Sequence, residues 1–228
     1  MQCIGRTGKF TETITISGIT RVWNGFLNIL TFHSSDVERH PIEIMHRGDA
    51  VFVLPVDRVN GNVYLVRQPR HALALINTKG VTAVNTALYR EQSVPDPYTI
   101  PFKDILMLDV PAGMIDGRES PADAALRELL EETGIHCDSS HLTLAGWSYA
   151  SIGGSTERLW LFIANVGDHD SVSPFGDGDE QIEVYKMSFE EAFSLLDGDL
   201  IVNAGGRLVL EIFRRQCAER RLKIMIDG

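Results

Sequence analysis

The chain has 228 residues, 44% of them hydrophobic and 23% charged, which excludes a disordered, collagen-like or disulfide-scaffold protein and supports one substantial core with a modest appendage. With 31 acidic against 21 basic residues the formal charge is −10, a balance that repels polyanions and argues against general nucleic-acid binding. A small phosphorylated ligand stays open, because a few local arginines or a metal ion overcome the net field at one site.

The first residues, MQCIGRTGKFTETITISG, carry no apolar core of a signal peptide, and no apolar run approaches the roughly 20 residues of a bilayer span. No membrane association is expected, and the cytoplasm is the expected location. Residues 11–46 read as short β-rich stretches: TETITIS alternates, RVW follows, GFLNILTF comes after a break at Asn24-Gly25, and IEIM comes after Pro41. They predict a small antiparallel sheet. AVFVLPVD at 50–57 and NVYLVRQPR at 62–70, joined across Asn60-Gly61, predict a hairpin whose unbroken apolar runs suit burial on both faces.

From 77 to 103 the pattern gives way to polar residues and prolines, as in a long functional loop. ILMLDV at 105–110 predicts a strand. SPADAALRELLEET at 120–133 predicts a helix, with Ser120 as cap, Pro121 in the first turn and Gly134 as the stop. Strands are expected in HLTLAGWSYA, RLWLFIANV and QIEVYKM, then a short helix with a capping box from Ser188 to Glu191, and a last helix over roughly 207–220. Cys3, Cys137 and Cys217 are widely spaced and form no CxxC, so they read as reduced thiols.

The chemistry concentrates in residues 113–135, GMIDGRESPADAALRELLEETGI. Glu128, Glu131 and Glu132 stand three and four apart, so on a helix they share one face. Like charges at that spacing repel. Compensation comes from Arg127, four residues before Glu131, or from hard divalent cations that prefer oxygen ligands. A solvated, salt-bridged helix face is the plain alternative.

Gly113, Glu119, Arg127, Glu128, Leu129, Glu131, Glu132, Gly134 and Ile135 match every position of the Nudix signature, a coincidence expected by chance in fewer than roughly one chain in a million. The segment therefore resembles the Nudix hydrolases. RGDAVFVLPVD, LVRQPR, SIGGSTERLWLFIA and DEQIEV further resemble the ADP-ribose and nucleoside-diphosphate-sugar pyrophosphatases. The likeness departs at Ser151-Ile152-Gly153, where a proline is missing, in the long stretch after Arg70, and at Ile42, where an arginine that stacks on adenine is expected.

The resemblance implies an α/β/α sandwich with a mixed sheet over residues 49–228, preceded by an N-terminal antiparallel β extension, residues 1–48, that serves dimerisation and the substrate pocket. It implies hydrolysis of a diphosphate bond with Mg²⁺, or Mn²⁺, as cofactor, by a homodimer acting on a small nucleotide substrate. Glu128, Glu131, Glu132 and the main-chain carbonyl of Ala112 match the metal positions. Glu119 and Arg127 match residues that orient those carboxylates. Glu180 is the best match for the general base, with Asp177 and Asp179 in the same loop as alternatives. Arg70 and Gln68 match a diphosphate-contact position, Glu157 a residue near the distal sugar, and Phe26 an aromatic that stacks on the base. A non-catalytic nucleotide sensor of the same fold is the rival, and the intact box with its acidic charge argues against it.

Overall fold

The computed structural model describes residues 16–25, 27–34, 42–73, 101–175, 181–198, 200–201 and 203–227. Its strands are β1 (Ile16–Asn24), β2 (Asn28–Ser34), β3 (Ile42–His46), β4 (Ala50–Asp57), β5 (Asn62–Pro69), β6 (Leu106–Asp109), β7 (Ala112–Met114), β8 (Leu142–Tyr149), β9 (Arg158–Asn165) and β10 (Glu183–Ser188). Its helices are α1 (Pro121–Thr133), α2 (Phe189–Asp197) and α3 (Ala204–Asp227). Phe26, Glu180 and most of the long segment 77–103 lie outside the described residues.

The chain forms two compact units, Met1–Gly48 with Tyr149–Arg158, and Asp49–Ser148 with Leu159–Gly228. In the first, β1, β2 and β3 form an antiparallel meander whose first turn falls at the expected Asn24-Gly25 break. The segment 149–158 joins this unit from far along the chain. Met45 donates its N–H to the Gly154 carbonyl at 2.8 Å, and Thr156 donates to the Met45 carbonyl at 3.1 Å.

In the second unit, β4 and β5 form the expected hairpin, with Gly61 at φ 74° relieving the turn. They sit inside a sheet of order β10-β5-β4-β9-β8, with β6 added to β5 and β7 to β4. The β4–β9 pair is parallel and the β4–β5 pair antiparallel, so the sheet is mixed. Every residue of β4 is buried, because helices cover both faces. Ala50, Phe52, Leu54 and Val56 pack with Leu196 of α2 and Phe213 of α3, while Val51 and Val53 pack with Ala125 and Leu129 of α1. Each large apolar side chain so buried contributes about 1.5–3 kcal/mol. The α/β/α sandwich is as expected.

Two helix ends show local rules at work. Ser120 accepts the Asp123 N–H, Pro121 opens α1, and Gly134 closes it in the left-handed region at φ 72°. Ser188 and Glu191 make both halves of the expected capping box of α2. Helix α3 behaves differently, since it starts at Ala204 rather than Arg207 and runs on to Asp227. Its first turn contains Gly205 and Gly206, poor helix formers, yet a Cβ at either would overlap Phe52 or the Asp109 carboxylate. Close packing overrides propensity there. Among the described residues, no helix is long and apolar enough to cross a membrane.

Candidate active site

Strand β7, the loop after it and α1 carry the acidic box as one strand–loop–helix unit. The helical period brings Glu128, Glu131 and Glu132 to one side, and Arg127 decides how two of them are held. Its Nη1 donates to Glu128 Oε1 at 2.7 Å and to Glu131 Oε2 at 3.0 Å. Its Nη2 donates to Glu119 Oε1 at 2.8 Å and to the Met114 carbonyl at 2.9 Å, and its Nε to Glu119 Oε2 at 3.2 Å. One planar guanidinium therefore ties the loop to the helix with its fork of donors. These contacts raise the Arg127 pKa, Glu119 first, and the same bond to Arg127 holds Glu119 below the usual carboxylate range. Glu119 also accepts the Asp116 N–H at 2.7 Å, which closes the loop on itself.

Glu132 is held in another way. It is 3% exposed, and its two oxygens accept from Gln68 Nε2 at 2.6 Å and from the Ala112 N–H at 2.8 Å. Burial pushes its pKa up to about 8, against the opposing effect of those two donors. Gly113 completes the arrangement, because a Cβ there would overlap the Glu128 carboxylate. The carboxylate lies directly on the backbone of β7.

The donor set fits a hard divalent cation. Glu119, Glu128 and Glu131 all pair with the Arg127 guanidinium, which gathers three carboxylates, oxygen donors throughout, round one residue. Among the described residues, no three acidic, His or Cys side chains converge as a closed metal cage. One oxygen each of Glu128 and Glu131 is turned onto Arg127 instead.

The remaining expected residues separate. Arg70 is half-buried just past β5, and its charge reaches both Glu132 and Asp109. Gln68, expected at the diphosphate, is 4% exposed with its amide spent on Glu132. That bond ties β5 to the acidic face of α1. Glu157 belongs to the first unit, where it is buried and lies 3.5 Å from Arg47 Nε. Glu180 and Phe26 fall outside the described residues.

One buried acid escaped the sequence reading. Asp109 ends β6 fully buried, accepts from the Val110 N–H at 2.8 Å and from Asn203 Nδ2 at 2.6 Å, and rests against Gly206. Burial raises its pKa to about 6. An acid inside the apolar run ILMLDV was the available signal.

The family pattern described as the NUDIX domain matches residues 46–203. The chain belongs to the Nudix hydrolase family. This Nudix chain is 31% identical over 183 residues to the GDP-mannose pyrophosphatase of Cronobacter sakazakii, covering 80% of this chain and 82% of the relative. It is 29% identical over 193 residues to the ADP-ribose pyrophosphatase of Escherichia coli K12, covering 84% and 75%. A solved structure described as an ADP compounds hydrolase superposes with a TM-score of 0.64 at 18% identity, covering 93% of this Nudix chain and 98% of the other, which speaks for the fold.

Proposed function

We propose that this Nudix hydrolase cleaves the diphosphate bond of ADP-ribose or a nucleoside diphosphate sugar, releasing a nucleoside monophosphate and a sugar phosphate. The observation that carries the reading is the box geometry, in which Arg127 spans Glu119, Glu128 and Glu131 while Gln68 and Ala112 fix Glu132. The relatives named for ADP-ribose and for GDP-mannose support the substrate class and leave base and sugar open.

Glu128, Glu131, Glu132 and the Ala112 carbonyl are the residues that would hold Mg²⁺, with Mn²⁺ as the alternative. Once bound, the cation neutralises the diphosphate and lowers the pKa of a water. The residues of the chain supply the rest. Arg127 and Glu119 keep the carboxylates in place, and Arg70 meets the diphosphate with a guanidinium suited to phosphate oxygens. Water attacks one phosphorus, the bridging P–O bond breaks with its electron pair on the departing phosphate, and the proton of the water passes to a carboxylate. We assign that carboxylate to Glu180. In support, the residues flanking 176–180 are tethered to the site: the Phe175 N–H donates to the Glu131 carbonyl at 3.1 Å, and Glu183 pairs with Arg67 beside Gln68. Phe26 and Glu157 are assigned to the base and distal-sugar ends. The working form is a cytoplasmic homodimer, with residues 1–48 as the dimerising extension and 49–228 as the hydrolase domain.

The test is incubation with Mg²⁺ and equal concentrations of ADP-ribose, UDP-glucose, GDP-mannose, ADP-glucose and NADH, with products identified by mass spectrometry. A dominant nucleoside monophosphate is expected and names the base. Metal-loaded, folded protein that turns over none of these while binding one would replace the hydrolase with a nucleotide sensor.

A further inference from the structure

On the sheet face opposite α1, a cleft of about 420 Å³ is lined by Arg58, Thr143, Ile163, Gln216, Glu219 and Arg220. Ile163 belongs to the core layer under α2 and α3, whereas α1 buries its apolar side in the other layer. Arg58 follows the last residue of β4, while the box strand β7 pairs with the opposite end, Ala50 to Phe52. The cleft is thus separate from the acidic box in both face and position along the strand. Its volume lies in the range of small-molecule sites, about 300–1,000 Å³.

Two arginines and one carboxylate line it. Arg67, Arg127, Arg214 and Arg215 each have a carboxylate within ion-pair distance. Among the described residues, Arg58 and Arg220 have none. Arg58 is half-buried, with its guanidinium carbon 5.1 Å from the centroid of the Phe213 ring. Stacking uses the flat face of the guanidinium and leaves its N–H donors around the rim. Burial and the nearby charge of Arg220 both lower the Arg58 pKa, so the pair is held together at a cost. Glu219 also lines the cleft, and its carboxylate lies 3.6 Å from Arg215 along the helix. Thr143 and Gln216 add uncharged hydrogen-bonding groups, and Ile163 gives an apolar wall. Two guanidinium groups outnumber the one carboxylate, and with neutral donors and an apolar wall they suit a phosphate group attached to a small organic body.

We infer that the cleft between the sheet and α3 is an accessory binding site for a small phosphate-bearing anion, held by Arg58 and Arg220. The inference is independent of the proposed reaction, because no residue of the box takes part in it. The probe is inorganic phosphate, titrated into the full chain in EDTA against chloride at matched ionic strength. Two readouts are followed, the thermal midpoint and the NMR resonance of the Arg58 Nε–H. The expected result is a rise of about 3 °C near tenfold saturation, with a saturable shift of the Arg58 resonance. Arg220→Gln, at an exposed position, should weaken phosphate binding by about tenfold, and Arg58→Gln should abolish the rise, both without change in turnover. A rise that persists in both variants, or that disappears in Arg70→Gln instead, overturns the assignment. An Arg58 resonance that does not respond in the wild-type protein does so as well.

Discussion

The box and the N-terminal sheet are built on opposite terms. Between Ala112 and Gly134 most bonds of the charged groups are made within a short stretch of chain, with Arg127 serving Glu119, Glu128 and Glu131 and with Ser120 and Gly134 closing the helix ends, while Gln68 reaches Glu132 from outside it. In the three-stranded sheet, backbone pairing runs along β1 and β2 with two register shifts, and apolar side chains stay uncovered, with Ile19 67% and Trp23 62% exposed. Charge near charge rewards a local solution. Exposed apolar surface on a small sheet has no local solution, and in the proposed homodimer it is the surface the second copy covers.

The largest effects are expected at the carboxylates of the box. Glu131→Gln and Glu132→Gln each remove a proposed metal-facing charge while keeping shape, so turnover should fall by about 100-fold or more with circular dichroism unchanged. Near wild-type rates in either variant would remove the box from the reaction. Gln68→Met asks a finer question, because it deletes the donor to Glu132 and leaves the volume filled. The Mg²⁺ concentration for half-maximal turnover should rise by about tenfold, as should the concentration for Mn²⁺ binding read by electron paramagnetic resonance. A change confined to substrate KM would place Gln68 at the diphosphate instead.

Asp109 tests the interior beneath the box. Its pKa rises from 3.8 to about 6 on folding, so between those values the native state holds a proton that the unfolded state has lost. Its contribution is complete below pH 3.8 and disappears as pH rises through about 6, which costs about 3 kcal/mol by neutral pH. Asp109→Asn should therefore flatten the pH dependence of the urea midpoint across that window. An unaltered slope would deny the buried charge any part in it. The smallest effect on chemistry is expected in the sheet: Ile19→Ser with Trp23→Ser should shift sedimentation from dimer to monomer while the fold is retained. A wild-type protein that is monomeric at every concentration would refute the dimer itself.

Much of this molecule could be read along the chain. The β4–β5 hairpin, the limits and caps of α1, the capping box of α2 and the shared face of Glu128, Glu131 and Glu132 follow from periods of two and 3.6 residues and from short-range hydrogen bonds. So did the family, because its signature lies within one supersecondary unit. Tertiary structure decided what depends on sheet register and layer packing. It set Gln68 against Glu132, 64 positions apart, seated Asp109 on the first turn of α3 where Gly206 permits it, and joined segment 149–158 to the N-terminal unit. Neighbours three or four apart on a helix are fixed by the geometry of one backbone, whereas partners brought together by a sheet exist only after the whole core has closed.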